Sequence, residues 1–222
     1  MGVAIRTAGE GDRELVVRLL DAAFQDDPVS NWVFPEEEHR RTTHHRLMAA
    51  FTDLVLAEGR VDVTEDGSAS ALWLPVQAGP HAAADSDEDG AAQLRAAVDP
   101  DNERVELIAR LTQDIHPVGR AHAYLWMIGV RPGRQGEGLG SALIRQALDR
   151  CDREGLPAYL EASSARSRAL YERLGFEPTG TPLALPDGPH MWPMWREPGG
   201  VPEGGEPEDQ RLSQERAVRP TS

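Results

Sequence analysis

The run Val130-Arg131-Pro132-Gly133-Arg134-Gln135-Gly136-Glu137-Gly138-Leu139-Gly140-Ser141 is where this chain could do chemistry. An apolar stretch, Tyr124 to Val130, leads into it, and an amphipathic one, Ser141 to Arg153, leads out. Glycine lets the backbone approach a ligand closely, and the first N–H groups of a helix have no intrahelical partner. With the helix dipole behind them, such N–H groups make a ready anion site, above all for a pyrophosphate. Arg131 and Arg134 raise the local positive potential in a chain whose formal net charge is −14.

Three phosphate cradles compete for this turn. A P-loop needs a lysine, and all 23 basic residues here are arginine. The same absence removes a lysine Schiff base and a kinase-type lysine. A dinucleotide fold needs GxGxxG and an acidic residue about twenty positions later on the ribose. Glu161 stands at a suitable distance, which keeps that reading open. Against it, Gly136, Gly138 and Gly140 are spaced GxGxG, and too little chain follows Glu161 for a doubly wound sheet.

The elements that must position the turn can be read in outline. Val3 to Thr7 reads as a strand. Leu15, Val16, Leu19, Leu20, Ala23 and Phe24 then follow at helical spacing up to the break at Asp26-Asp27-Pro28. A second helix is predicted from Glu37 to Ala57, then strands Arg60–Thr64 and Ala69–Pro75. Residues 79–101 shift to Ala, Asp, Gly and Pro, and Ala82–Gly90 reads as a mobile loop. A helix near Asn102–Thr112, a buried strand Tyr124–Val130, a helix Ser141–Arg153, a strand Pro157–Glu161, a helix Ala165–Leu174 and two closing strands complete residues 1–196. Residues 197–222, rich in Gly, Pro and Glu, read as a disordered acidic tail.

Composition bounds the function classes. A net anion does not follow a phosphate backbone, so no nucleic-acid partner is expected. No apolar run is long enough to span a bilayer and no secretory signal opens the chain, so a cytoplasmic protein with no membrane partner is expected. A lone cysteine, Cys151, excludes an internal disulfide and a multi-thiolate zinc site. It lies on the apolar stripe of its helix and reads as core. His44 and His45 are adjacent on a helix and face apart, so no metal site is expected; His122 reads as a satisfied strand histidine.

Gln135-x-x-Gly138-x-Gly140, preceded by Ile128-x-Val130-x-Pro132 and followed by Leu170-Tyr171-Glu172-Arg173-Leu174-Gly175-Phe176, resembles the two signatures of the GNAT acetyltransferase superfamily. Phe24-Gln25-Asp26-Asp27-Pro28, Tyr159-Leu160-Glu161-Ala162-Ser163 and Trp192-Pro193-Met194-Trp195-Arg196 resemble the branch around puromycin N-acetyltransferase and its actinobacterial relatives. Ser164 departs from the asparagine many members carry there. The resemblance implies an α/β (α+β) fold, with a mixed, mostly antiparallel sheet of about six to seven strands splayed between its two central strands. It implies acetyl-CoA as co-substrate, its pantetheine arm on the backbone of Ile128, Gly129 and Val130. Its pyrophosphate falls to the turn Arg134, Gln135, Gly136, Glu137, Gly138, Leu139, Gly140 and Ser141.

The reaction implied is direct attack of a neutral amine on the thioester in a ternary complex. Tyr171 matches the family's proton donor to the leaving thiolate; its alternative is a packed core aromatic. Glu161 is the first candidate for the base, or else a structural hydrogen-bonding group. Asp26, Asp27 and Trp32, together with Phe34, Met191 and Trp192, are the acceptor-side candidates, a solvated turn being the alternative for the two aspartates. An aromatic, acidic pocket suits a small cationic amine, an antibiotic-like one among the candidates, with a role in antibiotic resistance. A protein lysine or N-terminus, and a catalytically silent acyl-CoA-binding module, are the alternatives. Monomer and homodimer are equally compatible with the sequence.

Overall fold

A computed structural model of the chain describes residues 2–79 and 84–199. Strand β1 (Ile5–Thr7) leads through a 3-10 turn into helix α1 (Arg13–Phe24), which buries Val16, Val17, Leu19 and Leu20. The break at Asp26-Asp27-Pro28 ends α1 and opens a short helix, α2 (Pro28–Val33), that the sequence pattern does not foretell. Asp27 caps it, accepting from the N–H groups of Val29 at 2.9 Å and Ser30 at 3.3 Å. Pro28 takes the first helical position, where its missing N–H has no partner to lose. Helix α3 (Glu37–Glu58) and strands β2 (Arg60–Thr64) and β3 (Ala69–Val76) follow closely as expected.

The segment read as a mobile loop instead carries a helix, α4 (Ala84–Val98). Alanine has the highest helix propensity, and Ala91, Leu94 and Val98 recur at helical spacing. Ala91 and Val98 are buried and Leu94 packs on the same core, while Arg95 pairs with Glu106 of the next helix at 3.2 Å. A compositional shift hid a tertiary contact. Helix α5 (Glu103–Ile115) is capped by Asn102, whose side chain accepts from the Arg104 N–H.

Strand β4 (His122–Val130), helix α6 (Leu139–Glu154), strand β5 (Ala158–Ala162) and helix α7 (Ala165–Arg173) form the part that carries the glycine turn. Helix α6 starts two residues before the predicted Ser141, between the left-handed glycines Gly138 (φ 83°) and Gly155 (φ 63°). Ser164 and Ser167 form a capping box that opens α7. Short strands β6 (Glu177–Pro178) and β7 (Leu183–Ala184) and the longer β8 (His190–Arg196) close the fold. The expected tail lies, from residue 200 on, outside the described residues. Its first residues are held: Glu197 pairs with Arg120 at 2.8 Å, and the Gly199 N–H meets Asp152 at 2.6 Å.

The eight strands form one sheet ordered β1-β2-β3-β4-β5-β8-β6, with β7 paired to β8. Every pairing is antiparallel except β4 with β5. That parallel pair touches only at Ala123↔Ala158 and Tyr124↔Tyr159 and then diverges. Between β3 and β4 the register slips, Leu72 facing Met127 and Trp73 facing Leu125, so Trp126 is an extra residue in β4. Such a bulge bends its strand and re-aims a side chain; here the Trp126 ring meets Phe51 of α3, centroids 4.3 Å apart. One apolar core lies beneath α1 to α5 and another beneath α6 and α7. Among the described residues no helix is long and apolar enough to cross a membrane.

Candidate active site

The divergence of β4 from β5 is the origin of the site. Beyond Tyr124, the edge of β4 that faces β5 pairs with no strand among the described residues through Val130, so its backbone groups are open to a ligand that adds like a strand. A cavity of about 660 Å³ occupies the gap, roofed by α1, α2, α3 and α5. Phe24, Val29, Phe51 and Trp126 give it an apolar wall, while Asp27, Glu161, Ser163 and Tyr171 bring polar groups into it. A second, shallower hollow of about 540 Å³ beside β6 has none of these groups, and its Arg120 is committed to Glu197.

The glycine turn continues the open strand. Gly133, Gly136 and Gly138 have φ of 86°, 89° and 83°, a region that side-chain-bearing residues avoid. The first hydrogen bond of α6 runs from the Ala142 N–H to Gly138 O, so the N–H groups of Leu139, Gly140 and Ser141 precede any intrahelical acceptor. Gln135 lines the cavity and steadies the turn, its Oε1 accepting from the Gly133 N–H at 2.8 Å. Arg134 braces the turn against the β2–β3 connection, donating to Glu137, Ser68 and Asp66 at 2.7, 3.0 and 3.3 Å. These residues fit a phosphate-bearing co-substrate: an open strand edge, donor N–H groups and glycines that hold the backbone in the required bend.

Tyr171 of α7 is only 7% exposed, lines the cavity and packs against Phe176. Burial, and then the charge of Asp27, push its hydroxyl pKa well above the usual phenol value. It therefore holds its proton throughout the neutral range. Asp27 is itself raised, because burial outweighs the bonds it accepts from Ser163, Ser30 and Val29. Glu161 ends β5 with its side chain 4% exposed, accepting from the Tyr124 hydroxyl at 2.7 Å through Oε2. Its Oε1 is buried without a hydrogen-bond partner, and His116 Nδ1 stands 3.9 Å away. An unpartnered carboxylate oxygen beside a cavity is a site waiting for a donor.

Several predicted residues come together here: Ile128, Gly129, Val130, Gln135, Glu161, Tyr171, Asp27 and Met191 all line one cavity. Others do not. Asp26 is exposed and outside the cavity lining. Trp32 is buried elsewhere: its Nε1 donates to Pro186 O at 2.8 Å, and the Arg104 guanidinium lies over its ring. Phe34 is fully buried core, and Trp192 is absent from the lining. Gly129 is small for packing: a Cβ there would stand 3.0 Å from Leu20 and 3.1 Å from Ala23 of α1. Arg134 pairs with Glu137 and also reaches Asp66 and Ser68, so its side chain is committed to bracing the turn. Cys151 is buried in α6, and its thiol pKa is pushed up by that burial. The sequence reading missed Ser163, Tyr124 and His116; only Tyr124 carried a signal, as a polar aromatic at the start of an apolar strand.

Residues 67–176 match the family model described as Acetyltransferase (GNAT) family. A mycothiol acetyltransferase of Beutenbergia cavernae is 47% identical over 57 residues, which is 24% of this chain and 19% of that protein. One of Streptomyces avermitilis is 42% identical over 62 residues, 27% of this chain and 20% of that protein. The chain thus spans about a fifth of the length of these curated relatives. A solved structure from Corynebacterium glutamicum, described as histone acetyltransferase HPA2 and related acetyltransferase, superposes with a TM-score of 0.67 at 25% identity. It covers 91% of this chain and 99% of that one. The mosquito arylalkylamine N-acetyltransferase-like 5b structure gives 0.62 at 18% identity, covering 88% of this chain and 100% of that one. The fold is that of GNAT acetyltransferases, with eight strands where about six to seven were expected.

Proposed function

We propose that this chain, GNAT in fold and matching that family over residues 67–176, moves an acetyl group from acetyl-CoA to the amine of a small cationic molecule. The observation that carries this reading is the cavity that joins an open strand edge, and Gln135 of the glycine turn, to the buried Tyr171 phenol and the carboxylates of Asp27 and Glu161. Acetyl-CoA supplies the activated acyl group. The backbone of Ile128 and Val130 would hold its pantetheine arm, and the N–H groups of Leu139, Gly140 and Ser141 its pyrophosphate.

Tyr171 gives a proton to the leaving sulfur, and Glu161 receives one from the attacking amine. Asp27 faces the same space and holds the acceptor's positive charge. Burial is the main reason the Tyr171 hydroxyl holds its proton, and an ammonium beside Asp27 offsets the smaller cause, the charge of that carboxylate.

A volume of about 660 Å³ with an aromatic wall is of a size that suits a small molecule. The arylalkylamine enzyme named above, and an agmatine N-acetyltransferase with a TM-score of 0.59, point the same way by fold alone. The likeness to the puromycin N-acetyltransferase branch makes an aminonucleoside-like amine the first compound to try.

A thermal-shift titration with acetyl-CoA, with NAD as control, tests the co-substrate. Ligand at 100 times its dissociation constant adds about 2.7 kcal/mol. A rise with acetyl-CoA alone, followed by amine-dependent thiol release, is the expected result. A rise with NAD instead overturns the reading, and binding without thiol release for any amine leaves a silent acyl-CoA module.

A further inference from the structure

We infer that Ser30, His44 and Asp21 form a proton relay in the roof of the cavity, which takes the first of the two protons a cationic acceptor must lose. This rests on the acetyl-transfer reading of the same cavity. An ammonium held at Asp27 carries one proton too many to attack, and it sheds another as the N–C bond forms. Glu161 accounts for the second alone.

Three helices bring the relay together. Ser30 of α2 lines the cavity, and its N–H donates to Asp27 Oδ1 at 3.3 Å. Its hydroxyl lies 3.1 Å from Nε2 of His44 on α3, a ring with no exposure to solvent. His44 Nδ1 in turn lies 2.7 Å from Oδ1 of Asp21 on α1. Gln25, one turn after Asp21, donates to the same oxygen at 2.9 Å and fixes the carboxylate.

The partners on the two ring nitrogens assign the protons. A carboxylate oxygen accepts, so Nδ1 carries the ring hydrogen, and Nε2 of the neutral ring accepts the Ser30 hydroxyl proton. A serine hydroxyl pointed at an imidazole with a carboxylate behind it is built to pass a proton to the ring and to stabilise the imidazolium that results. An imidazole is also intrinsically a stronger base than a carboxylate, about 6.5 against about 4.3 on the pKa scale. The charged groups that bear on His44 are Asp21 from α1 and Asp27 from the α1–α2 junction, and both favour a cationic ring. The Phe34 ring meets it edge-on at 5.8 Å, and Arg40, one turn earlier on α3, donates instead to the carbonyl oxygens of Gln25 and Phe34. Ser30 as a nucleophile would need N–H donors for an oxyanion, and those of Val29 and Ser30 are taken by Asp27.

The protons balance. The bound ammonium gives one proton to Ser30 Oγ as the Ser30 proton passes to His44 Nε2, leaving a neutral amine beside an imidazolium held by Asp21. The amine lone pair then forms the N–C bond and the second proton passes to Glu161. The C–S bond breaks and the sulfur takes the Tyr171 proton. After the products leave, His44 and Glu161 each return a proton through the cavity: one restores Tyr171 and the other goes to solvent. Ser30 touches the amine and is catalytic in this scheme, whereas His44 and Asp21 act through it and are positioning residues.

The test compares two probe amines that suit the aromatic wall, phenethylamine and phenylalaninamide, in the full chain and in Ser30→Ala. At pH 7 a lysine-like alkylammonium (pKa about 10.4) is neutral in roughly one molecule in 2500, an α-amino group (about 7.7) in roughly one in six. Ser30→Ala is expected to lower kcat/KM about 100-fold for phenethylamine and less than about fivefold for phenylalaninamide, with acetyl-CoA affinity unchanged. The phenethylamine loss is expected to shrink about tenfold per unit as pH rises to 9. Equal losses for both amines at every pH are what damaged packing gives, and they overturn the relay alone. Nitrogen shifts of 15N-labelled histidine in the wild-type chain at pH 8 are expected to place the ring proton of His44 on Nδ1, and a ring proton on Nε2 instead overturns it without any turnover being measured. Acetylation of Ser30 by acetyl-CoA alone, read by mass spectrometry, makes Ser30 a nucleophile and also overturns it. A wild-type chain that acetylates no amine takes down the acetyl-transfer reading and the relay together, which keeps the two failures apart.

Discussion

Ser163 donates its hydroxyl to Asp27 at 2.7 Å, tying the connection behind β5 to the junction of α1 and α2 across 136 residues of sequence. With the Val29 and Ser30 N–H groups on the other oxygen, Asp27 is both a helix cap and a wall of the cavity. Three hydrogen bonds do not cancel its desolvation, and its pKa remains raised. A raised carboxylate binds its proton more readily in the folded chain. Its charged form therefore works against folding as pH climbs from the unfolded value, about 3.9, through the folded one. A buried charge kept under those terms calls for a cation.

Asp27→Asn separates the two duties, because asparagine caps helices as well as aspartate does. The melting temperature at pH 7 is expected to stay level or rise. KM for the amine is expected to rise about tenfold, or ~1.4 kcal/mol. A fall of several degrees with KM unmoved would make Asp27 a structural group only.

Tyr171→Phe removes the buried hydroxyl and little volume. Turnover is expected to fall 10- to 1000-fold with acetyl-CoA affinity nearly unchanged, measured by thiol release and by titration. Unchanged turnover returns Tyr171 to the core packing it shares with Phe176.

Two glycine substitutions should fail in different ways. At Gly138, φ of 83° resists any side chain while space around it is open. Gly138→Ala is expected to cost roughly 1–2 kcal/mol and to weaken acetyl-CoA binding through a distorted turn. Gly129→Ala drives a Cβ into Leu20 and Ala23, and is expected to cost roughly 1–3 kcal/mol of stability by overpacking. Melting curves with and without acetyl-CoA distinguish them: only Gly138→Ala should lose more of the ligand-induced shift than of the base temperature.

Asp66 braces the glycine turn through Arg134, and its pKa is lowered to about 2, first by the Thr64 hydroxyl and then by Ser68. A lowered carboxylate stabilises the fold fully above its unfolded value, about 3.9, and loses that contribution as pH falls through its folded value. Melting temperatures between pH 5 and 2 should therefore fall less steeply in Asp66→Asn than in the parent chain. Equal slopes would show that the exposed turn is screened into irrelevance.

The sequence by itself determined the local chemistry. A buried strand running into Gly136, Gly138 and Gly140 and then into a helix specifies its own backbone, since left-handed glycines and unpaired N–H groups are properties of a dozen consecutive residues. The Leu170–Phe176 segment was legible for the same reason, as was the break at Pro28. Tertiary structure alone decided what those pieces face. Trp32, expected on the acceptor side, is claimed instead by Gly188 and Arg104, and the smallness of Gly129 is required by α1 as well as by the cavity it lines. Helix α4 was hidden because its reason to exist is the face it lays against α3 and α5. The meeting of Asp27 with Ser163, and of His116 with Glu161, depends on how β4 and β5 diverge. That divergence is set by the packing of helices on both faces of the sheet, which no short stretch of sequence contains.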